Sequence, residues 1–111
     1  MTASWAWMVL LAAGICEVMY ASALPRTQGF TRLWPSLYCI FFITLSLYLL
    51  TVSARYLPIG TAYAVWVGIG AVGTAIYGIA YLDEPGSMAR LVCLSLIIGG
   101  VAGLKLLSPS A

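Results

Sequence analysis

Histidine is missing from this chain, and charge is nearly missing too. Five lysines and arginines and three aspartates and glutamates make up 7% of its 111 residues. A soluble domain solvates its surface with roughly a quarter charged residues, so a water-soluble monomer is excluded. Cysteine offers no substitute chemistry. Cys16, Cys39 and Cys93 each sit in an apolar run, with no CxxC pair and no histidine partner. Such isolated thiols are small packing groups, and neither metal, cofactor nor redox use is expected of them. No nucleophile–base pair or phosphate-binding loop is present, so the chain is not expected to be an enzyme and no residue stands out as catalytic. A dispersed net charge of +2 does not make a nucleic-acid surface.

What fills the chain is apolar: 63% of its residues are hydrophobic. A helix crosses the hydrocarbon with about 20 such residues, so four crossings take about 80 and leave only short loops. The expected fold is therefore an all-α membrane protein, a single transmembrane domain over residues 1–111. Its four helices are expected at about 5–24, 35–54, 58–82 and 87–107. Pro25 stops the first, and Arg26, Gly29 and Arg32 punctuate the loop over 25–34. Pro35 suits a first helical turn because it has no amide hydrogen to leave unpaired. Pro58 and Gly60 open the third helix, and Asp83, Glu84, Pro85 and Gly86 predict a turn before the fourth. A tail, SPSA, ends the chain. Trp5, Trp7, Trp34, Tyr56 and Tyr81 fall near helix ends, where amphipathic rings favour the interface. The first apolar stretch lacks a basic leader segment and is long for a signal peptide, so it reads as a retained helix.

Among the three acids, Asp83 and Glu84 lie in the expected turn beside water. Glu17 lies near the middle of the first helix, in GICEVMYASAL. A carboxylate at that depth costs several kcal/mol unless paired or neutralised. No lysine or arginine lies at matching depth to pair with it. Glu17 must be protonated, face a wet cavity, or hold a cation from outside. If a cation displaces protons there, and the cavity opens to one side at a time, proton entry is coupled to cation exit. A second Glu17 in a dimer would share that titration. The structural alternative is a permanently protonated Glu17 making one interhelical hydrogen bond.

Small residues recur at helical spacing: Ala13, Glu17 and Ala21, with Gly14 beside them; Gly60, Ala64 and Gly68, then Gly70 and Gly73; and Ser95, Gly99 and Gly103. Such stripes let membrane helices approach closely, and the last is a plausible dimerisation seam. The GIG at 68–70 softens the third helix where alternating access would bend it. Ser46, Tyr63, Trp66 and Tyr20 complete the polar and aromatic inventory at membrane depth.

AGICEVMYASAL, QGFTRLWPS, LPIGTAYAVWVGIGAVGTAIYGI and GGVAGLKLL together resemble the small multidrug resistance family almost end to end. The resemblance implies a dual-topology antiparallel homodimer of four-helix subunits that exports cations in exchange for protons through paired glutamates. The GTAYAVW segment and the ending GLKLL resemble the guanidinium exporter subtype. The resemblance implies a site of Gly14, Glu17, Ser46, Tyr63 and Trp66, with Tyr20 one turn beyond the glutamate. Glu17 would bind cation or proton, Ser46 and Trp66 would orient it, and Tyr63 would take part in switching. A planar guanidinium suits a carboxylate because its paired N–H donors match two oxygens. The subtype usually has Trp at the position of Tyr20, a hydroxyl residue at Val67 and Lys at Pro25. These departures suggest a pocket altered towards substituted guanidiniums such as guanylurea or biguanides.

The expected function is thus a proton-coupled antiporter of small guanidinium-type cations, multi-pass in the bacterial inner membrane. Its expected partners are a small cation, protons, lipid and a second copy or paired homologue. A broad quaternary ammonium exporter is the alternative within the family. A non-transporting assembly subunit is the alternative of another class. Orientation carries one prediction. Arg26, Arg32 and Arg90 share one side, and Arg55 and Lys105 the other, so the positive bias that fixes insertion is close to nil. Reporters fused to the C-terminus are expected to signal from both sides of the membrane. A signal from one side alone rules out dual orientation.

Overall fold

The computed structural model describes residues 3–107, so the SPSA tail lies outside the described residues. The chain forms α1 (Ala3–Ala23), α2 (Leu33–Ala54), α3 (Ile59–Tyr81) and α4 (Met88–Leu107). All four are long and apolar enough to cross a membrane. Helices of 20 to 23 residues are roughly 30–35 Å long, which matches the hydrocarbon thickness. Lipid offers no partner for a backbone amide or carbonyl. Each crossing segment therefore satisfies its own hydrogen bonds by coiling, whatever its intrinsic propensity.

The connections depart from expectation in two places. The first loop is shorter, because Leu24–Thr27 continues α1 as a 3-10 turn and α2 already starts at Leu33. Pro35 still falls within the first turn of α2. Between them Gln28, Gly29 and Phe30 all take positive φ, of 48°, 75° and 64°. That reversal is tied to Thr27, which is buried. Its hydroxyl donates to the Leu24 carbonyl at 2.8 Å and accepts from the Phe30 amide at 3.2 Å. The second departure corrects the turn expected over residues 83–86. Residues 83–87 run as an irregular, turn-free segment. Pro85 is the physical reason, since it forces the preceding Glu84 towards extended backbone. Asp83, at φ 57°, turns the chain off α3, and the Glu84 amide donates back to the Gly78 carbonyl at 3.1 Å.

α1 is the central helix, packed along α2 and α3, while the backbone of α4 approaches α3 alone among the described helices. The buried core gathers Ala6, Trp7, Leu10 and Ala13 of α1 with Leu50 of α2, Leu57 of the second loop, and Ala62, Val65 and Trp66 of α3. All of these lie in the half of the subunit nearest the N-terminus and second loop. The opposite half, towards the first and third loops, contributes little to that core.

Glycines set the α1–α3 spacing. A side chain at Gly14 would collide with Ile69, its Cβ falling 2.7 Å from the Ile69 Cβ. One at Gly73 would collide with Val18. α3 stays continuously helical through Gly68 and Gly70, both of which are buried. Overpacking a tight contact costs about 1–3 kcal/mol. Gly14→Leu is therefore expected to lower the melting temperature of the detergent-solubilised protein. Gly60→Ala, which points into open space, leaves it unchanged or slightly higher. Equal melting of the two variants would contradict this packing.

Candidate functional site

Where the core thins out, a groove of about 490 Å³ opens along α1 and α3. Glu17, Ala21 and Pro25 line it from α1 and its 3-10 extension. Val67, Gly70, Ala71 and Thr74 line it from α3. These positions follow i, i+4, i+8 on one side and i, i+3, i+4, i+7 on the other, the periodicity of facing helix stripes. The groove reaches Leu82 and Glu84 at the third loop. It therefore runs from membrane depth to the aqueous boundary.

Glu17 lies at its deep end. Its carboxylate rests directly on the backbone of α3 at Gly70, in the space that a Cβ there would occupy. Its Oε1 is enclosed and has no hydrogen-bond partner among the described residues. No lysine or arginine pairs with it among those residues, where the one ion pair joins Arg90 to Glu84. A group so placed has its strongest unmet demand for a proton or a cation. Thr74, one turn beyond Gly70, repeats the pattern, for its Oγ1 is also enclosed and without a partner among the described residues.

The remaining expected site residues divide into two groups. Tyr20 lies close enough to both Glu17 and Tyr63 to interact with them electrostatically. Tyr63 is exposed, and its ring centroid lies 5.6 Å from that of Trp66. Ser46 and Trp66 are buried and belong to a chain of hydrogen bonds. Trp66 Nε1 donates to Ser46 Oγ at 2.9 Å, and Ser46 Oγ donates to the Ala13 carbonyl at 2.7 Å. In this arrangement they hold the α1 backbone one turn before Glu17 rather than its carboxylate. Gly14 is buried against Ile69, a packing contact between α1 and α3. Val67 is an apolar part of the groove wall.

Sequence reasoning missed Thr74 and treated Glu84 as an ordinary loop acid. The spacing of Gly70, Thr74 and Gly78 is the signal that was available. A second cleft of about 480 Å³, between Val18, Arg26, Trp34, Tyr38 and Tyr77, carries an arginine and no carboxylate. Its charge is wrong for a cation.

Comparison with known proteins places this geometry in context. The family model described as Small Multidrug Resistance protein matches residues 5–97. A protein of Citrobacter freundii named "Guanidinium exporter" is 55% identical over 100 residues, which cover 90% of this chain and 95% of that one. One of Yersinia pestis with the same name is 50% identical over 103 residues, 93% and 99% of the two chains. A third, from Salmonella typhimurium strain LT2, is 52% identical over 100 residues. With its four membrane-crossing helices and bacterial relatives, this is a multi-pass protein of the bacterial inner membrane, and it belongs to the small multidrug resistance family.

Proposed function

We propose that this protein exports small guanidinium-type cations in exchange for protons, with Glu17 as the group for which the two compete. The observation that carries this reading is the Glu17 carboxylate: enclosed on one oxygen, unpaired among the described residues, and set at the deep end of a groove that reaches the loop. The choice of guanidinium is supported by relatives named as guanidinium exporters at 50–55% identity over most of the chain. A guanidinium engages a carboxylate through two parallel N–H···O bonds, which a quaternary ammonium, lacking N–H donors, cannot do. Val67 on the groove wall supports tolerance of substituted guanidiniums, since it adds apolar surface where a hydroxyl would demand a partner.

The working unit in this reading is an antiparallel homodimer. α4 supports it: none of its described residues is buried, and Gly99, Gly100 and Gly103 have open space where a side chain would project. Such a face suits close approach by another membrane helix. Two Glu17 side chains then share the proton and cation load. Ser46 and Trp66 fix the α1 backbone that presents Glu17, Tyr20 interacts with its carboxylate and with Tyr63, and Gly14 sets the helix spacing that keeps it in register.

One carboxylate cannot hold a proton and a cation together. Lower pH on the binding side must therefore raise the KM for guanidinium, and higher pH must lower it until the proton no longer competes. Glu17→Gln is expected to abolish proton-coupled guanidinium currents of the purified protein on supported membranes. Currents that persist in that variant, or that ignore pH, would overturn Glu17-based proton exchange, whereas no current from the wild-type protein with any cation would favour a non-transporting subunit. Currents with tetraalkylammonium but none with guanidinium would favour the broad-specificity exporter.

A further inference from the structure

Two carboxylates sit on two glycines of a single stripe. Glu17 rests on Gly70, and the Glu84 carboxylate folds back over Gly78 of the same helix. Gly70, Thr74 and Gly78 follow one another at i, i+4 and i+8 on α3. Eight residues of helix separate the two seats by about 12 Å along the axis. Midway stands the Thr74 hydroxyl, enclosed and without a partner among the described residues. All three polar groups line the same groove.

Glu84 is also held by a guanidinium. Arg90, on the first turn of α4, places Nη2 3.5 Å from Glu84 Oε1. Its shorter bond is elsewhere, from Nη1 to the Pro85 carbonyl at 2.8 Å. The fork is thus split between two acceptors, and one arm alone reaches the carboxylate, at long range. Both side chains are substantially exposed, at 36% for Arg90 and 45% for Glu84. An exposed, single-armed pair of this kind is weak. A free guanidinium, able to present two donors to both oxygens, makes a better partner for Glu84 than the tethered one.

We propose that Glu84 is an outer recruitment subsite for guanidinium-type cations, and that Arg90 is a tethered occupant which the free cation displaces. The cation is then captured at the loop end of the groove, passes the Thr74 hydroxyl, and reaches Glu17. Arg90 returns to Glu84 behind it and restores local neutrality at the mouth. This inference rests on the guanidinium transport reading above.

The test is guanidinium-evoked current of the reconstituted full-length protein, resolved into KM and maximal current. Glu84→Gln is expected to raise KM about two- to fivefold, the scale of an exposed charge interaction, with maximal current retained. Arg90→Ala is expected to lower KM by a similar factor, because Glu84 loses its internal competitor. Glu84→Asp keeps most of the wild-type KM. In the Glu84→Gln background, Arg90→Ala should change nothing further; a merely structural loop contact would instead shift KM in the same direction in both single variants. Unchanged KM in both single variants, or an undiminished Arg90→Ala effect without Glu84, overturns the subsite while wild-type currents and their loss in Glu17→Gln leave the transport reading intact. Absence of guanidinium current from the wild-type protein overturns both.

Discussion

A carboxylate at membrane depth, enclosed on one oxygen and with no counter-charge among the described residues, is the constraint from which the rest of this subunit follows. The desolvation cost of an unpaired charge in such a place exceeds the net stability that one good packing contact supplies. Among the described residues, the chain does not remove that cost with a lysine or arginine. It leaves Glu17 Oε1 without a partner among the described residues and gives the carboxylate a seat at Gly70 and an open groove in front. In the proposed function that cost is relieved by something that comes and goes. A proton and a small cation both qualify, and the proposed function is their alternation.

The rest of the subunit is arranged to hold that unsatisfied group in place. The half nearest the N-terminus and the second loop carries the packed core, from Ala6 and Trp7 to Val65 and Trp66. Within it the Trp66–Ser46–Ala13 hydrogen bonds tie three helices together immediately below the Glu17 turn. Buried polar groups that are fully bonded to one another rigidify their surroundings. The other half, where the groove opens, is held by a few polar contacts, such as Arg26 Nη2 donating to the Tyr77 hydroxyl at 3.2 Å. A subunit clamped at one end and loosely joined at the other has an obvious place to change shape.

Much of this was legible in the sequence, and the reasons are physical. Hydrophobic runs bounded by proline and glycine specify membrane helices strongly, since lipid leaves the backbone one way to satisfy itself. The isolated Glu17 was conspicuous for the same reason: nothing else at that depth is charged. What composition could not reveal was direction. Ser46 and Trp66 read as partners of Glu17 through the family resemblance, yet in this structure their hydrogen bonds go to each other and to a backbone carbonyl. A carbonyl leaves no trace in a residue pattern. The third loop was misjudged because a cluster of Asp, Pro and Gly signals a turn, whereas the restriction that Pro85 places on Glu84 produces an extended exit instead. Thr74 escaped notice because one hydroxyl amid an apolar helix is ordinary. Only its enclosure beside the groove makes it distinct.

The composition of α3 shows how the membrane environment permits this design. Five of its 23 residues are glycine. In water each would destabilise the helix by about 1 kcal/mol relative to alanine, enough together to melt a helix of this length. Within lipid the unfolded alternative is closed off, because a frayed amide or carbonyl finds no water to bond. The helix therefore survives a glycine content that an aqueous helix could not. Those glycines are then free to act as surfaces: Gly73 admits Val18, Gly68 admits Val101 of α4, and Gly70 and Gly78 admit the two carboxylates. A side chain at either of the last two positions would displace the acid it supports. The same bilayer that makes a buried charge expensive thus makes a glycine-rich helix tolerable, and the site exists where these two effects meet.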